Sequence, residues 1–201
     1  MLNIISSGII TIWRHFMKHW TVIVLCGMTI GALLISCGGG KEEFNVPGMD
    51  IAIKNVPSQK IAYAEIIGPY SEIGDNLNAL SFWGEQNGLA TSTVLMGIFY
   101  DDPGVVPAFK LKSEVAMTVP MNTQPDSVYP VRELPEMTVA SVVLKGPHDD
   151  ITKRYGEVFG WVAQNNYSVE GPLFEIYLKC GKDIPETEYE TEIRIPVKKI
   201  S

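Results

Sequence analysis

One segment near the C-terminus combines a carboxylate with aromatic side chains. Glu175 and Tyr177 alternate with apolar residues across residues 173–178, and this alternation is typical of a β-strand whose odd positions share one face. A desolvated carboxylate beside aromatic rings attracts an organic cation through charge pairing and cation–π contact. A glutamate and a tyrosine can also act as general base and general acid. The pair therefore predicts a site for either binding or acid–base chemistry.

The segment belongs to a sequence repeat with a shift of 78 positions. The shift aligns Gly68-Pro69 with Gly146-Pro147, Trp83 with Trp161, and Gln86-Asn87 with Gln164-Asn165. A constant shift over such a length indicates one structural unit used twice. The last strand of each unit aligns better at a shift of 76, which pairs Val119-Pro120 with Ile195-Pro196.

Each unit is predicted to run strand, strand, helix, strand, strand. Alternation over 61–67 predicts a strand that Gly68-Pro69 ends, and Ser71 then caps a helix to about Asn87. Residues 94–100 and 110–119 predict the following hairpin, and 173–178 with 188–195 predict its counterpart. We expect an α+β fold in which two units are related by a pseudo-twofold axis, with joined antiparallel sheets, helices on one side and a central groove.

Strand alternation also predicts which side chains face that groove. Met96, Ile98, Phe174, Ile176 and Leu178 are assigned to the helices. The shift of 78 places Gly97 where the second unit has Glu175, so the glycine leaves space beside the carboxylate. The shift of 76 places Ala116 where the second unit has Glu192. The predicted ligand-binding residues are Tyr63, Gly97, Phe99, Glu175, Tyr177 and Glu192.

Simpler interpretations of the same residues stay open. Pairing of Glu175 with Arg194 or a lysine across the hairpin is one alternative, and a solvated strand face formed with Glu188 and Glu190 is another for Glu192. His148 follows a turn and is expected to be exposed. The tryptophans Trp83 and Trp161 are more typical of core packing than of ligand platforms.

The N-terminus has the layout of an export signal. Basic Lys18 precedes an uncharged apolar run, and the run closes on Leu34-Ile35-Ser36-Cys37, which resembles a bacterial lipobox. We therefore expect residues 1–36 to be a signal peptide, with a true start at Met17 as one possibility. Residues 37–48 would form a lipidated Cys37 and a flexible tether, and 49–201 one domain in the cell envelope, anchored to a membrane that faces periplasm or exterior.

Charge and composition exclude several classes of partner. Without Arg14 and Lys18, 14 of the 16 basic residues remain against 23 acidic ones, so the processed chain carries a net charge of −9. This acidic balance makes a nucleic-acid partner unexpected, because phosphate binding needs a basic face. His148 would be the single remaining histidine, so we expect neither a metal site nor a cofactor such as haem.

Three segments resemble the GyrI-like small-molecule-binding domain, which is also the effector-binding module of AraC-type and MerR-type activators. They are 67–70 (Ile-Gly-Pro-Tyr), 97–103 and 174–178, and the resemblance extends over roughly residues 49–199. It implies tandem units around a groove that binds varied, often cationic and aromatic, compounds beside a buried glutamate, here Glu175. This chain departs from the regulators in carrying a lipoprotein signal in place of a DNA-binding domain.

The resemblance leaves several functions to compare. The leading hypothesis is a membrane-tethered domain that binds a small amphipathic molecule without turnover. The alternative is a hydrolase of strained small-molecule toxins, in which Glu175 acts with Tyr177 or Tyr63, as some family members do. Gyrase inhibition is disfavoured because gyrase is cytoplasmic and this chain carries an export signal.

Overall fold

The computed structural model describes residues 45–89, 93–125 and 127–200. The predicted signal peptide, Cys37 and most of the tether lie outside these ranges. None of the helices within them has both the length and the apolar character that a membrane crossing requires.

Two similar halves follow one another along the chain. The first comprises β1 (Ala52–Val56), β2 (Gln59–Ile67), α1 (Ile73–Gln86), β3 (Leu95–Phe99) and β4 (Lys112–Val119). The second comprises β5 (Val131–Leu134), β6 (Met137–Lys145), α2 (His148–Lys153), α3 (Tyr155–Gln164), β7 (Tyr167–Val169), β8 (Leu173–Lys179) and β9 (Glu190–Lys199). The predicted α+β repeat is confirmed. The structure differs from the prediction in three details. In the second half the helix is split at Arg154 and a short strand, β7, is added. In the first half a 3-10 turn over Tyr70–Glu72 precedes α1.

The strands form one antiparallel sheet in the order β1-β6-β9-β8-β3-β4-β2-β5, with β7 paired to β9. The halves meet at its centre, where β3 pairs with β8 and Gly97 lies opposite Glu175. The outer strands are exchanged, because β1 pairs with β6 and β5 pairs with β2. Each half thus supplies the edge strand of the other.

The strand register keeps the shift of 78 through the last strand of each half. Ala62 pairs with Met117 in the first half, and Ala140 pairs with Ile195 in the second. The prediction of a shift of 76 was therefore wrong, and the counterpart of Glu192 is Glu114, not Ala116. A hydrogen-bonded ladder fixes register along its whole length, whereas the two similar Pro-containing dipeptides are a local likeness.

The sheet buries a cluster of side chains on each face. The helix-side cluster includes Leu80, Val158, Trp161 and Val162 from the helices and Phe99, Val115, Leu173 and Ile193 from the strands. The opposite cluster consists of Ile61, Met96, Ile98, Ala116, Leu134, Phe174 and Ile176.

The predicted facing of β3 and β8 was therefore wrong. Met96, Ile98, Phe174 and Ile176 point away from the helices, and Leu178 is exposed. Gly97, Phe99, Glu175 and Tyr177 consequently lie on the helix side. β3 is apolar on both faces, and the polar residues Glu175 and Tyr177 of β8 lie on the buried helix side, so polarity along these strands does not mark the outer face.

Candidate functional site

Glu175 lies at the centre of the sheet, beneath the first residues of α2 and α3. It is 1% exposed. Its Oε1 accepts a short hydrogen bond from the hydroxyl of Tyr155, the first residue of α3. Its Oε2 accepts a hydrogen bond of 2.8 Å from the hydroxyl of Tyr177. The Nδ1 atom of His148, the first residue of α2, lies 3.6 Å from the same Oε2 atom.

The two phenols are hydrogen-bond donors to this carboxylate. Burial raises the pKa of Tyr155, and the charge of Glu175 raises it further. Burial and the same carboxylate hold the pKa of Tyr177 well above its ordinary value. Both hydroxyls therefore keep their protons at physiological pH and hold Glu175 as an acceptor.

The basic groups around Glu175 are few. Within the described ranges, His148 is the one basic side chain paired with its carboxylate, and His148 itself is half-exposed. The alternative that Glu175 pairs with Arg194 is wrong, because the Arg194 guanidinium lies 2.7 Å from Glu192 on the other face of the sheet. Two phenols and one imidazole thus surround a buried carboxylate that has no lysine or arginine partner in the described part of the chain.

Gly97 lies beside Glu175 on the neighbouring strand, as the repeat predicted. A Cβ atom at this position would lie 2.8 Å from the ring of Phe99 and 2.9 Å from the hydroxyl of Tyr177. The space that glycine leaves is therefore reached by two aromatic side chains. Tyr70 continues this aromatic wall with an edge-on contact to Phe99, at 4.9 Å between ring centroids.

Glu192 and Tyr63 lie on the opposite face of the sheet from Glu175. Glu192 is buried and accepts hydrogen bonds from Ser141 at 2.5 Å, Arg194 at 2.7 Å and Lys54 at 3.2 Å. Burial alone would raise the pKa of Glu192, but the bonds from Arg194, Ser141 and Lys54 outweigh it and lower the pKa. Glu192 lies on the predicted face, away from the helices, but the alternative of a solvated strand face was wrong, because the residue is buried. Its predicted grouping with Glu175 was also wrong, because Glu175 lies on the helix side.

A matching group surrounds Glu114 in the first half. The guanidinium of Arg132 donates to both carboxylate oxygens, at 2.9 and 2.5 Å, and the Tyr100 hydroxyl donates at 2.9 Å. Arg132 also stacks over the ring of Tyr63, 4.4 Å from its centroid. Tyr63 therefore lies on the face away from the helices, as predicted, but it contacts an arginine there and is separated by the sheet from Glu175.

Sequence reasoning missed Tyr155, Glu114 and Arg132, and it treated His148 only as an exposed turn residue. A uniform shift of 78 would have identified Glu114 as the counterpart of Glu192. The same shift aligns His148 with Tyr70, since each follows a Gly-Pro pair. The contact of Tyr155 with Glu175 depends on how α3 packs on the sheet, and no sequence pattern marks it.

Across residues 45–89, 93–125 and 127–200, no group of three or more His, Cys, Asp or Glu side chains is arranged to hold a metal ion.

Comparison with known proteins identifies relatives along the whole described region. The family description "GyrI-like small molecule binding domain" matches residues 49–198. A prophage-derived transcriptional regulator of Bacillus subtilis, YosT, is 24% identical over 153 residues, covering 75% of this chain and all of that protein. A DNA gyrase inhibitor of Citrobacter koseri is 26% identical over 156 residues, covering 75% of this chain and 99% of that protein.

Solved structures share the fold. The C-terminal domain of EcmrR superimposes with a TM-score of 0.62 at 20% identity, covering 76% of this chain and 99% of that domain. EcmrR has also been solved bound to DNA, with a TM-score of 0.65 at 18% identity over 98% of this chain and 68% of that one. At these identities the likeness establishes the fold alone.

Proposed function

The chain belongs to the GyrI-like small-molecule-binding domain family, and from this premise we propose that it captures a small amphipathic, aromatic cation beside Glu175 while tethered to a membrane. The observation that carries the proposal is the burial of Glu175 with no lysine or arginine partner among the described residues. A carboxylate that is removed from water and not ion-paired is costly to the fold. A bound cation would remove that cost.

The surroundings of Glu175 suit a cation with aromatic rings. Charge interactions strengthen where water is excluded, and Phe99, Tyr70 and Tyr177 supply ring faces or edges for the body of the ligand. Tyr177 and Phe99 occupy the space beside Gly97, so a ligand can enter it only when these rings turn aside. The positive charge of the ligand would then pair with the Glu175 carboxylate.

Binding without turnover fits the two phenols better than hydrolysis does. A general acid works best when its pKa lies near the working pH. The pKa values of Tyr155 and Tyr177 are instead raised by burial and by Glu175. The same groups serve well as fixed hydrogen-bond donors that orient the carboxylate. Absence of a nucleic-acid partner remains a prediction that rests on the net charge.

Glu175→Gln tests the binding proposal. The cationic dye thioflavin T should lose affinity tenfold or more, on the order of 1.4 kcal/mol per tenfold change, because its charge would then be buried without a partner. Its uncharged benzothiazole analogue should bind almost as before. The measurement is equilibrium dialysis of the full chain against a matched micelle solution, with Glu65→Gln, an exposed glutamate, as control. Equal losses for both dyes would show that Glu175 supports the fold and does not select charge.

The membrane tether is tested separately at Cys37. The lipobox-like ending of the apolar run predicts that Cys37→Ser leaves unprocessed precursor and abolishes acyl labelling in cells. Cys180→Ser, which changes the exposed cysteine of the domain, should leave both unaltered. Acyl labelling that persists in Cys37→Ser would remove the tether from the proposal.

A further inference from the structure

A cavity lies on the face of the sheet that points away from the helices, opposite the Glu175 site. It has a volume of about 480 Å³ and is formed where the β5–β6 hairpin approaches the loop before β8 and the end of β9. Phe174 lies in its floor, and the next residue along β8 is Glu175, so the two side chains point to opposite faces. The cavity is therefore separated from the Glu175 site by the sheet itself.

The floor and walls of this far-face cleft are apolar and stiff. Phe174 and Leu134 are buried at its base, with Met137 partly buried beside them. Proline rings form much of the wall, from Pro135, Pro172 and Pro196. Rigid walls keep a cleft open in the absence of ligand, and the volume lies in the range of roughly 300 to 1,000 Å³ that small-molecule sites occupy.

The charges at the cleft favour a cation over an anion. Three exposed glutamates border the cleft, Glu133, Glu136 and Glu170. Glu133 lies between Arg132 and Leu134 on β5, so its side chain starts toward the other face and adds negative charge at longer range than the other two. Among the described lining residues the one basic side chain is Arg132, and its guanidinium is already bonded to Glu114 and to the Tyr100 hydroxyl. The three bordering glutamates have no Lys or Arg partner among the described residues, so they would repel an anion and attract a cation whose apolar part lies on Phe174.

We propose that the far-face cleft is a second ligand site, which binds a small amphipathic cation with its apolar body against Phe174 and Leu134 and its charge among the three rim glutamates. The site is independent of the Glu175 site, because the sheet lies between them. The domain would then hold two cationic ligands, one buried beside Glu175 and one in the open cleft.

Two kinds of variant address the cleft without touching Glu175. A Cβ atom at Gly171 would make ordinary contact with Pro196, at 3.4 Å, and the Gly171 backbone lies outside the left-handed region. Gly171→Leu should therefore fill the cleft. The triple change Glu133→Gln, Glu136→Gln and Glu170→Gln removes the rim charge, and its matched control changes the exposed Glu65, Glu72 and Glu85 to Gln.

The experiment is equilibrium dialysis of the full chain with thioflavin T, with matched micelles on both sides. Wild type should bind two dye molecules per chain, and Glu175→Gln should leave one. In that background, Gly171→Leu should abolish the remaining binding. The rim triple should weaken it about five- to tenfold, since three exposed charges each contribute modestly, and added salt should weaken it likewise.

The outcomes separate this proposal from the one for Glu175. If the cleft variants reduce dye binding and Glu175→Gln does not, the cleft proposal is supported and the Glu175 proposal is overturned. If dye binding is unchanged by both Gly171→Leu and the rim triple, the cleft proposal is overturned. If Gly171→Leu fails to fold by circular dichroism, the rim triple decides alone, because its residues are exposed. An equal effect of the rim triple and its control would also overturn the cleft.

Discussion

The two faces of the central sheet both bury glutamates, but they differ in what neutralises the charge. On the far face, Glu114 pairs with Arg132, and Glu192 pairs with Arg194 and Lys54. On the helix side, Glu175 meets two phenols and a half-exposed imidazole.

The far-face pairs also join the two halves of the chain. Arg132 on β5 pairs with Glu114 on β4 of the first half, and Lys54 on β1 pairs with Glu192 on β9 of the second. The registers of Arg132 with Ile61 and of Lys54 with Val139 show that these cations occupy equivalent positions. Charge on this face therefore fastens the exchanged edge strands. The comparison therefore separates two carboxylates that are ion-paired across the halves from Glu175, which has no Lys or Arg partner among the described residues and is the one proposed to meet a ligand.

Arg132→Met should have the largest effect on stability. It leaves Glu114, which is 4% exposed, with the Tyr100 hydroxyl as its remaining hydrogen-bond donor described here. Removing one partner of a buried pair costs about 3 to 5 kcal/mol. Because Arg132 is one-third exposed, we expect a loss of about 2 to 4 kcal/mol in the free energy of unfolding, measured with urea.

Lys54→Met is the matched variant for this test. Lys54 is half-exposed, and Glu192 would retain Arg194 and Ser141. The loss should stay below about 1 kcal/mol. Equal losses in the free energy of unfolding would contradict this comparison. They would mean that Glu114 depends on Arg132 no more than Glu192 depends on Lys54.

Gly97→Ala should have an intermediate effect, confined to the helix side. Its new methyl group would lie closer than 3.0 Å to both Phe99 and Tyr177, so one ring must shift, at about 1 to 2 kcal/mol. Gly74→Ala on α1 is the control, because nothing lies within 4 Å of a Cβ atom there and alanine favours a helix by up to about 1 kcal/mol. The midpoint of thermal unfolding should therefore fall for Gly97→Ala and rise for Gly74→Ala. A tolerated Gly97→Ala would show that the rings beside Glu175 already adjust freely.

Glu175→Gln should change stability least, by less than about 1 kcal/mol and toward greater stability. The amide oxygen can still accept from a phenol, and the change removes a buried charge that no Lys or Arg balances. The measurement is urea unfolding in the absence of dye, beside Arg132→Met. A loss as large as that of Arg132→Met would place Glu175 among the structural carboxylates and would end the distinction between the faces.

The amino-acid sequence by itself determined the repeat, the α+β order of elements and the pairing of Gly97 with Glu175 at the junction of the halves. These follow from local patterns: alternation along a strand, Gly-Pro pairs that end one, and a shift of 78 that recurs along the chain. The predicted roles of these residues in binding stay predictions.

Only the tertiary structure decided which face of the sheet each central residue occupies. β3 is apolar on both faces, and β8 carries Glu175 and Tyr177 on its buried helix side, so polarity does not mark the outer face of either strand. The facing depends instead on where α1 and α3 pack. Three further features are likewise long-range contacts. They are the exchange of the edge strands β1 and β5, the contacts of Tyr155 and His148 with Glu175, and the pairing of Arg132 with Glu114. Such contacts depend on how distant segments pack together, and a periodic pattern within one segment carries no information about its partner.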